Sequence, residues 1–356
     1  HRILSSQIAF LRDHFGINPG EVNLATFPLF ALFDPALKMT TIFPNMDFSR
    51  PVRANPSEII RMIKTHQVTH MFGSPALLRR VGLYGKKKGV KLPTLKRVLS
   101  AGAPVPITVL RHIGDMLGPD ADVHTPYGAT EALPVCSISS QEVLKEEEGR
   151  SQGKGVCVGR PIVGIQLVVI RITDDPILRW SDDLRVSEGE IGELVVWGPN
   201  VSCEYWDNKK ANQQAKIQNV DQEIRHRMGD VGYLDSDGRV WFCGRKSHRV
   251  ITSSGTLFTV SCEGIYNQHS AVYRSALVGV GQFPNQLPVL CVELENKKKW
   301  KGSDSLKKEI LDLGANVSQT AQIHTLLFHA DFPVDSRHNA KIFREKLASW
   351  AEGQLL

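Results

Sequence analysis

No two of the six cysteines (Cys136, Cys157, Cys203, Cys243, Cys262 and Cys291) form a C-x-x-C pair, and the twelve histidines show no H-E-x-x-H spacing. A structural zinc or a disulfide framework is therefore not expected, and reduced thiols in a cytoplasmic protein are the default. No apolar run approaches the roughly 20 residues that a membrane-spanning helix needs, and no signal peptide is visible. Charge of one sign is also scarce. Lysine and arginine (43) barely exceed aspartate and glutamate (37), for a net charge of +6. That balance tolerates an anionic substrate but is too diffuse for nucleic acid. The densest basic stretches, GKKKGVK (85–91) and the run from Lys297, read as solvated loops between elements. The chain opens on His1 rather than methionine, which reads as a fragment.

At 356 residues, with 42% apolar and 22% charged residues, the chain has the composition of a globular protein of two or three units. Its first two-thirds alternate helix and strand signals. NPSEIIRMIKTH (55–66) is a helix capped by Asn55, with Pro56 in its first turn. VTHMF (68–72) is a strand and SPALLRRVGLYG (74–85) a second helix. KRVLSAG (96–102) is a strand running into a turn, a helix follows from Pro106 to about Leu117, and ADVH begins another strand. This rhythm predicts a parallel sheet, whose ligands sit beyond the carboxyl ends of the strands. SAGAP (100–104) and TPYGATE (125–131) both fall at such ends. After about Gly149 the short strands IQLVVI, GELVVW and GRVWFCGR predict a β-rich subdomain, with LDSDGRVWF (234–242) a hairpin. Past Arg245 comes a smaller α+β unit: a helix near 261–269, strands SALVGVG and PVLCVELE, a helix SLKKEILDL, a strand HTLLFH and a terminal helix AKIFREKLASWAEG. The boundary falls near residue 246, dividing the chain into 1–245 and 246–356.

Several side chains carry chemistry. Gly128 lets backbone approach a ligand. Tyr127 offers a flat face to a base, Thr130 a hydroxyl to a phosphate oxygen, and Glu131 a hard oxygen to Mg²⁺. A turn leading into a helix N-terminus explains the threonine and glutamate equally well. Asp230, after a glycine in RMGDVGYLDSDG, is placed to chelate ribose hydroxyls or to cap a turn. Arg245, at the hairpin's end, brings a fixed charge for a phosphate or ribose. Lys341, in RHNAKIFREK, stands on a polar loop just before a helix.

In order, SAGAP, PYGATE, GELVVWGPNVSCEYWDN, MGDVGYLDSDGRVWFCGR and AKIFREKL resemble blocks of the adenylate-forming (AMP-binding) superfamily, across about residues 97 to 347. The fold implied is a partial α/β large domain, parallel-sheet layers plus the β-rich subdomain, and a small, mobile C-terminal α+β domain. The resemblance implies an AMP-forming ligase using ATP and Mg²⁺. Gly102, Ala103 and Pro104 would line the adenine pocket, Tyr127 would stack on the base, and Thr130 would bind the α-phosphate. Glu131 would bind the metal, and Asp230 the ribose with Arg245 close by. Lys341 would reach the carboxylate and α-phosphate, where a cation offsets the negative charge of phosphoryl attack.

Departures from the superfamily pattern are informative. Its Ser/Thr/Gly-rich phosphate loop is absent, as in a chain lacking an N-terminal portion of the large domain; His1 would be the histidine that follows that loop. Ala31 stands where many relatives carry a histidine, and Glu204-Tyr205 replaces Gly-Tyr. In the hinge GRKSHRVI, Ser247 takes the hinge position, His248 replaces an acidic residue, and Ile251 replaces a lysine that many relatives use in thioester formation. FPLFALFDPALKMT, FGSPALL, TPYGATEALPV, FCGRKSHRV and RHNAKIFREKLA are similar to the β-lactone synthetases of bacterial long-chain olefin biosynthesis. That branch implies a long-chain 2-alkyl-3-hydroxy fatty acid as substrate, lactone closure by its own 3-hydroxyl, and assembly with other enzymes of the pathway. A long-chain acyl-CoA synthetase and a non-catalytic nucleotide-binding remnant are the competing expectations.

Overall fold

Short capped helices and strands build the first layer. The computed structural model describes residues 1–146, 152–219, 223–296, 303–335 and 341–356; the lysine run from Lys297 to Lys299 and most of the loop before Lys341 lie outside them. Asn55 accepts a hydrogen bond from the Ser57 amide (3.1 Å) and starts the helix Pro56–Thr65, which buries Ile59, Ile60 and Ile63. Such a cap stabilises by about 1 kcal/mol. Ser74 caps the next helix, Pro75–Lys88, which ends in left-handed Gly89. The expected stop at Gly85 is corrected: the helix runs a turn further. Gly85 is there because a β-carbon would strike Met116 of the neighbouring segment. Lys86, Lys87 and Lys88 therefore form that helix's last turn, where cations face the negative end of the dipole, rather than a loop.

Strands β1 (Val22–Ala25), β2 (Thr40–Ile42), β3 (His70–Phe72) and β4 (Arg97–Leu99) pair in parallel, in the order β2-β1-β3-β4. β5 (Asp122–Ala129) joins β4 in parallel, and β6 (Ala132–Ser139) turns back antiparallel along β5. Of two short strands that follow, β7 (Val156–Cys157) goes to a second sheet and β8 (Arg160–Pro161) closes the first. The helices pack their apolar faces on this sheet through Ile59, Ile63, Leu77, Leu78 and Leu110. A buried ion pair, Arg97 of β4 with Glu21 just before β1, links these strands across β3 and holds the Glu21 carboxyl down at about 2 against the cost of burial.

The second sheet is antiparallel. It contains β7, β9 (Gln166–Ile170), β10 (Gly192–Trp197), β11 (Lys216–Gln218), β12 (Ile224–Leu234) and β13 (Val240–Arg245). The expected hairpin joins β12 to β13: Asp235 accepts from the Asp237 and Arg239 amides and the Trp241 indole. Val135 and Cys136 of β6 share an apolar cluster with Leu194, Val196, Met228 and Val240, so β6 is the seam between the sheets.

Beyond Arg245, a short turn leads to β14 (Val250–Thr252) and β15 (Gly255–Leu257), then the helix Thr259–Tyr266. β16 (Val272–Val280), β17 (Leu287–Leu294) and β18 (Thr325–Phe328) form a third layer. Alternation along β16 serves both faces, as a period of two requires. Leu277 packs with Tyr266 and Ile310, whereas Ala276 and Val278 pack with Leu347 and Ala351 of the terminal helix Arg344–Leu355. Lys246, just past β13, reaches back to Glu193 (3.1 Å), which is fully buried against Arg227 (2.6 Å). Among the described residues no helix is long and apolar enough to cross a membrane, and all six cysteines are free, with only Cys203 exposed.

Candidate active site

The carboxyl ends of β4 and β5 meet the seam between the sheets. β4 pairs with β5 only as far as His124, so Thr125–Ala129 project past the parallel sheet, and SAGAP leaves β4 beside them. Gly102 there has a φ of 94°, a backbone that favours glycine, and is exposed together with Pro104, with Ala103 half-buried. The stretch HTPYGATEALPV is not a turn into a helix. It is a β-hairpin whose tip is Thr130-Glu131, with β6 returning immediately at Ala132. Gly128 owes its identity to that pairing: an added β-carbon would lie 2.4 Å from the Ala132 carbonyl oxygen and 2.9 Å from the Leu133 side chain. Cross-strand backbone, rather than a ligand, accounts for the glycine.

Tyr127, Asp230 and Arg245 converge from both sheets. The Tyr127 hydroxyl donates to Asp230 Oδ2 (2.6 Å), and Arg245 Nη1 stands 3.0 Å from Oδ1. Asp230 and Arg245 face each other in the β12–β13 register. The Asp230 side chain is only 4% exposed, whereas Arg245 is 46% exposed. Oδ1 receives no hydrogen bond of acceptable geometry, so its contact with Arg245 is electrostatic. Burial pushes the Asp230 carboxyl up to about 6, although Arg245 and the tyrosine hydroxyl both oppose it. The Tyr127 phenol is pushed well above its ordinary value by burial and by the Asp230 charge, so it stays a donor. Its ring packs against Phe242, centroids 6.0 Å apart.

At the hairpin tip Thr130 is exposed and Glu131 half-buried. Glu131 Oε1 accepts the Tyr205 hydroxyl at 2.7 Å. Burial works against its charge, but the Tyr205 hydrogen bond, its own backbone amide, His226 and Lys216 prevail and hold the carboxyl below its ordinary value. Lys216 is buried, pushed down to about 8, with its ammonium donating to the Ser202 carbonyl (2.6 Å) and hydroxyl (2.8 Å). His226, pushed down to about 4 by burial, faces the Ala215 carbonyl through Nδ1 (3.1 Å). The sequence reading missed Lys216 and His226 and took Tyr205 only as a departure from a motif. The available signal for His226 was the apolar flanks of IRHRMGD, which mark a strand, where Arg225, His226 and Arg227 are all buried; Lys216 carried none.

Lys341 is exposed, its carbonyl accepting from the Asp335 amide (2.9 Å). With Arg245, Arg344 and Glu345 it contributes to the field on His248; burial and the surrounding cations push that imidazole down to about 4. Among the described residues no side-chain hydrogen bond or ion pair joins Lys341 to the Tyr127–Asp230–Arg245 group. Thr130, among the described residues, shares no side-chain hydrogen bond with the Tyr127–Asp230–Arg245 group, and SAGAP is tied to β5 by the Ser100 amide, which donates to the His124 carbonyl (3.0 Å). Among the described residues no three acidic, histidine or cysteine side chains cluster to cage a metal. A single ionised carboxylate suits a magnesium ion carried on substrate phosphates, because Mg²⁺ takes one or two carboxylates and keeps its remaining positions for phosphate and water. A separate cavity lined by Arg2, Gly164, Trp197, Val201 and Cys203 includes none of these residues.

Residues 1–206 match the family model described as AMP-binding enzyme. The chain is 44% identical over 358 residues to an olefin β-lactone synthetase of Xanthomonas campestris pv. campestris, covering 99% of this chain and 64% of that protein. It is likewise 44% identical over 359 residues to an olefin β-lactone synthetase of Stenotrophomonas maltophilia, with coverages of 100% and 64%. It therefore spans just under two-thirds of the length of these curated relatives. Among solved structures it is similar to an amide bond synthetase, McbA, from Marinactinospora thermotolerans. The TM-score is 0.78 at 18% identity, covering 98% of this chain and 65% of that one, a likeness of fold.

Proposed function

We propose, since the chain belongs to the AMP-binding enzyme family, that it provides most of an AMP-forming ligase that adenylates a long-chain 2-alkyl-3-hydroxy fatty acid and releases it as a β-lactone. The observation that carries the nucleotide half is the Asp230 carboxylate. It is buried, one oxygen holds the Tyr127 hydroxyl, and the other lies beside Arg245 without a hydrogen-bond donor. A buried acceptor of this kind is costly until a donor arrives, and a ribose hydroxyl is such a donor. Tyr127 and the Gly102–Pro104 backbone then take the base, and the exposed Thr130 hydroxyl takes the α-phosphate. When Mg²⁺ is bound, it neutralises phosphate charge, with Glu131 as its protein ligand. Lys341 supplies a cation to the carboxylate and α-phosphate. In this reading the unit that carries Lys341 begins near residue 246.

For the second step, the 44% identity to two olefin β-lactone synthetases supports lactone closure. The substrate's 3-hydroxyl oxygen forms the ring C–O bond as the acyl–phosphate bond breaks, AMP leaves, and the hydroxyl proton is lost. An internal nucleophile enjoys a large effective concentration, so no thiol is recruited. Ile251, where many thioester-forming relatives carry lysine, fits that outcome. The test is product analysis of the protein at its full encoded length with a 2-alkyl-3-hydroxy acid and ATP, with and without CoA. Lactone, AMP and pyrophosphate are expected without CoA. Strictly CoA-dependent thioester would overturn the lactone assignment, and no AMP under either condition would overturn the ligase reading altogether.

A further inference from the structure

We propose that Tyr205 and Lys216 are positioning residues for Glu131, holding its carboxylate so that one oxygen is committed to the protein and the other faces a phosphate-borne divalent cation. This rests on the reading of Glu131 as the metal ligand and adds how the chain presents it. A carboxylate at the tip of a two-residue turn has rotational freedom about its own side-chain bonds, and a cation gains most from a ligand already oriented. Here the orientation is supplied from the segment 201–216. The Tyr205 hydroxyl has one proton to give, and it gives it to Oε1 at 2.7 Å.

Tyr205 is itself clamped. Its amide donates to Asn212 Oδ1 (2.7 Å), and its carbonyl accepts from Asn212 Nδ2 (2.9 Å). Asn212 sits in the helix Lys209–Ala215, started by the Asn208 cap. Lys216 secures the same segment from inside. Its ammonium donates twice to Ser202 and lies 5.2 Å from the centre of the Tyr205 ring. The Ser202 amide in turn donates to the Glu131 carbonyl (2.8 Å), and Val201 bridges Ala132. His226 flanks the Tyr205 ring at 6.5 Å, edge to face. Side chain and backbone of Glu131 are thus both held by one segment. With Oε1 taken by the Tyr205 hydroxyl, the remaining oxygen is the one offered to a cation.

The probe is Mn²⁺ titrated against the ATP complex of the protein at its full encoded length and followed by electron paramagnetic resonance. ATP affinity is measured in parallel by calorimetry in excess chelator. Tyr205→Phe is expected to weaken Mn²⁺ binding to the complex about tenfold, the scale of a lost outer-shell partner, and to leave metal-free ATP affinity unchanged. Lys216→Met should give the same split. If it does not fold by circular dichroism, Tyr205→Phe decides alone. Unchanged Mn²⁺ affinity in Tyr205→Phe, or equal losses with and without metal, would overturn the positioning role. Glu131→Gln separates the two levels. If it abolishes Mn²⁺ binding while Tyr205→Phe has no effect, only the positioning fails. If Glu131→Gln binds Mn²⁺ as the unaltered protein does, the reading of Glu131 itself fails and the proposal with it.

Discussion

Asp230 is an acid whose folded environment favours its neutral form, from an ordinary value of 3.8 up to about 6. Between those values the folded chain holds a proton that the unfolded chain has released. The contribution of this group to stability therefore falls as pH rises through about 4 to 6. A ribose hydroxyl requires the ionised form, so binding in that window expels the proton. Calorimetry of ATP binding at pH 5.5 in two buffers of different ionisation enthalpy should show proton release that vanishes by pH 8. Binding without release would show that Asp230 is not the acceptor. Its candidacy was legible in the sequence as an acid following a glycine, though the same pattern reads as a turn cap; the structure instead places Asp230 inside β12, opposite Arg245. Its partnership with Tyr127, 103 residues away, was not, since no local pattern reports a contact between two sheets. Lys216 and His226 were hidden for a related reason: a basic residue reads as solvent-facing until a buried strand turns it inward.

At the scale of elements, the helices were legible because their signals are local: Asn55 caps where the sequence says it should, and the helix after Ser74 starts where the sequence puts it. The errors arose where a neighbour overrides propensity. Gly85 reads as a helix end but is a place for Met116, and the tip of the β5–β6 hairpin carries Thr-Glu rather than the Asn-Gly that announces a tight hairpin. Gly128 supplies a test. Because an added methyl would press on backbone across the hairpin, Gly128→Ala should destabilise by about 1–3 kcal/mol. Urea denaturation should show a lower midpoint with an unchanged slope. A neutral result would mean that the hairpin is looser than this register requires.

Across the whole molecule, Glu193 ties the second sheet to the segment after β13. It carries both Arg227, fully buried beside it, and Lys246. Glu193→Ala leaves a buried guanidinium without its counter-charge and should cost about 3–5 kcal/mol. Lys246→Met removes the ammonium's hydrogen bonds to Glu193 and to the Thr173 carbonyl (2.9 Å) from a site that keeps its internal pair, and should cost about 2 kcal/mol. Thermal denaturation of the two variants checks the ranking; equal losses would mean that the tie to Lys246, not the pair with Arg227, dominates. The three-layer architecture was legible from the change of rhythm along the chain. The β6 seam was not, because Val135 and Cys136 read as ordinary strand residues until the second sheet is placed against them.

That Tyr127 and its partners Asp230 and Arg245 come from opposite ends of a long stretch of chain has a consequence for how the protein is made. On a ribosome, the parallel sheet emerges first and domains fold in the order they appear. The tyrosine hydroxyl then waits through the synthesis of the whole second sheet for its acid. A nucleotide held as proposed would bind only after β13 has docked, and by binding the folded form alone it would favour completed chains over partial ones. On the proposed function, ATP would be a selective stabiliser of newly finished molecules.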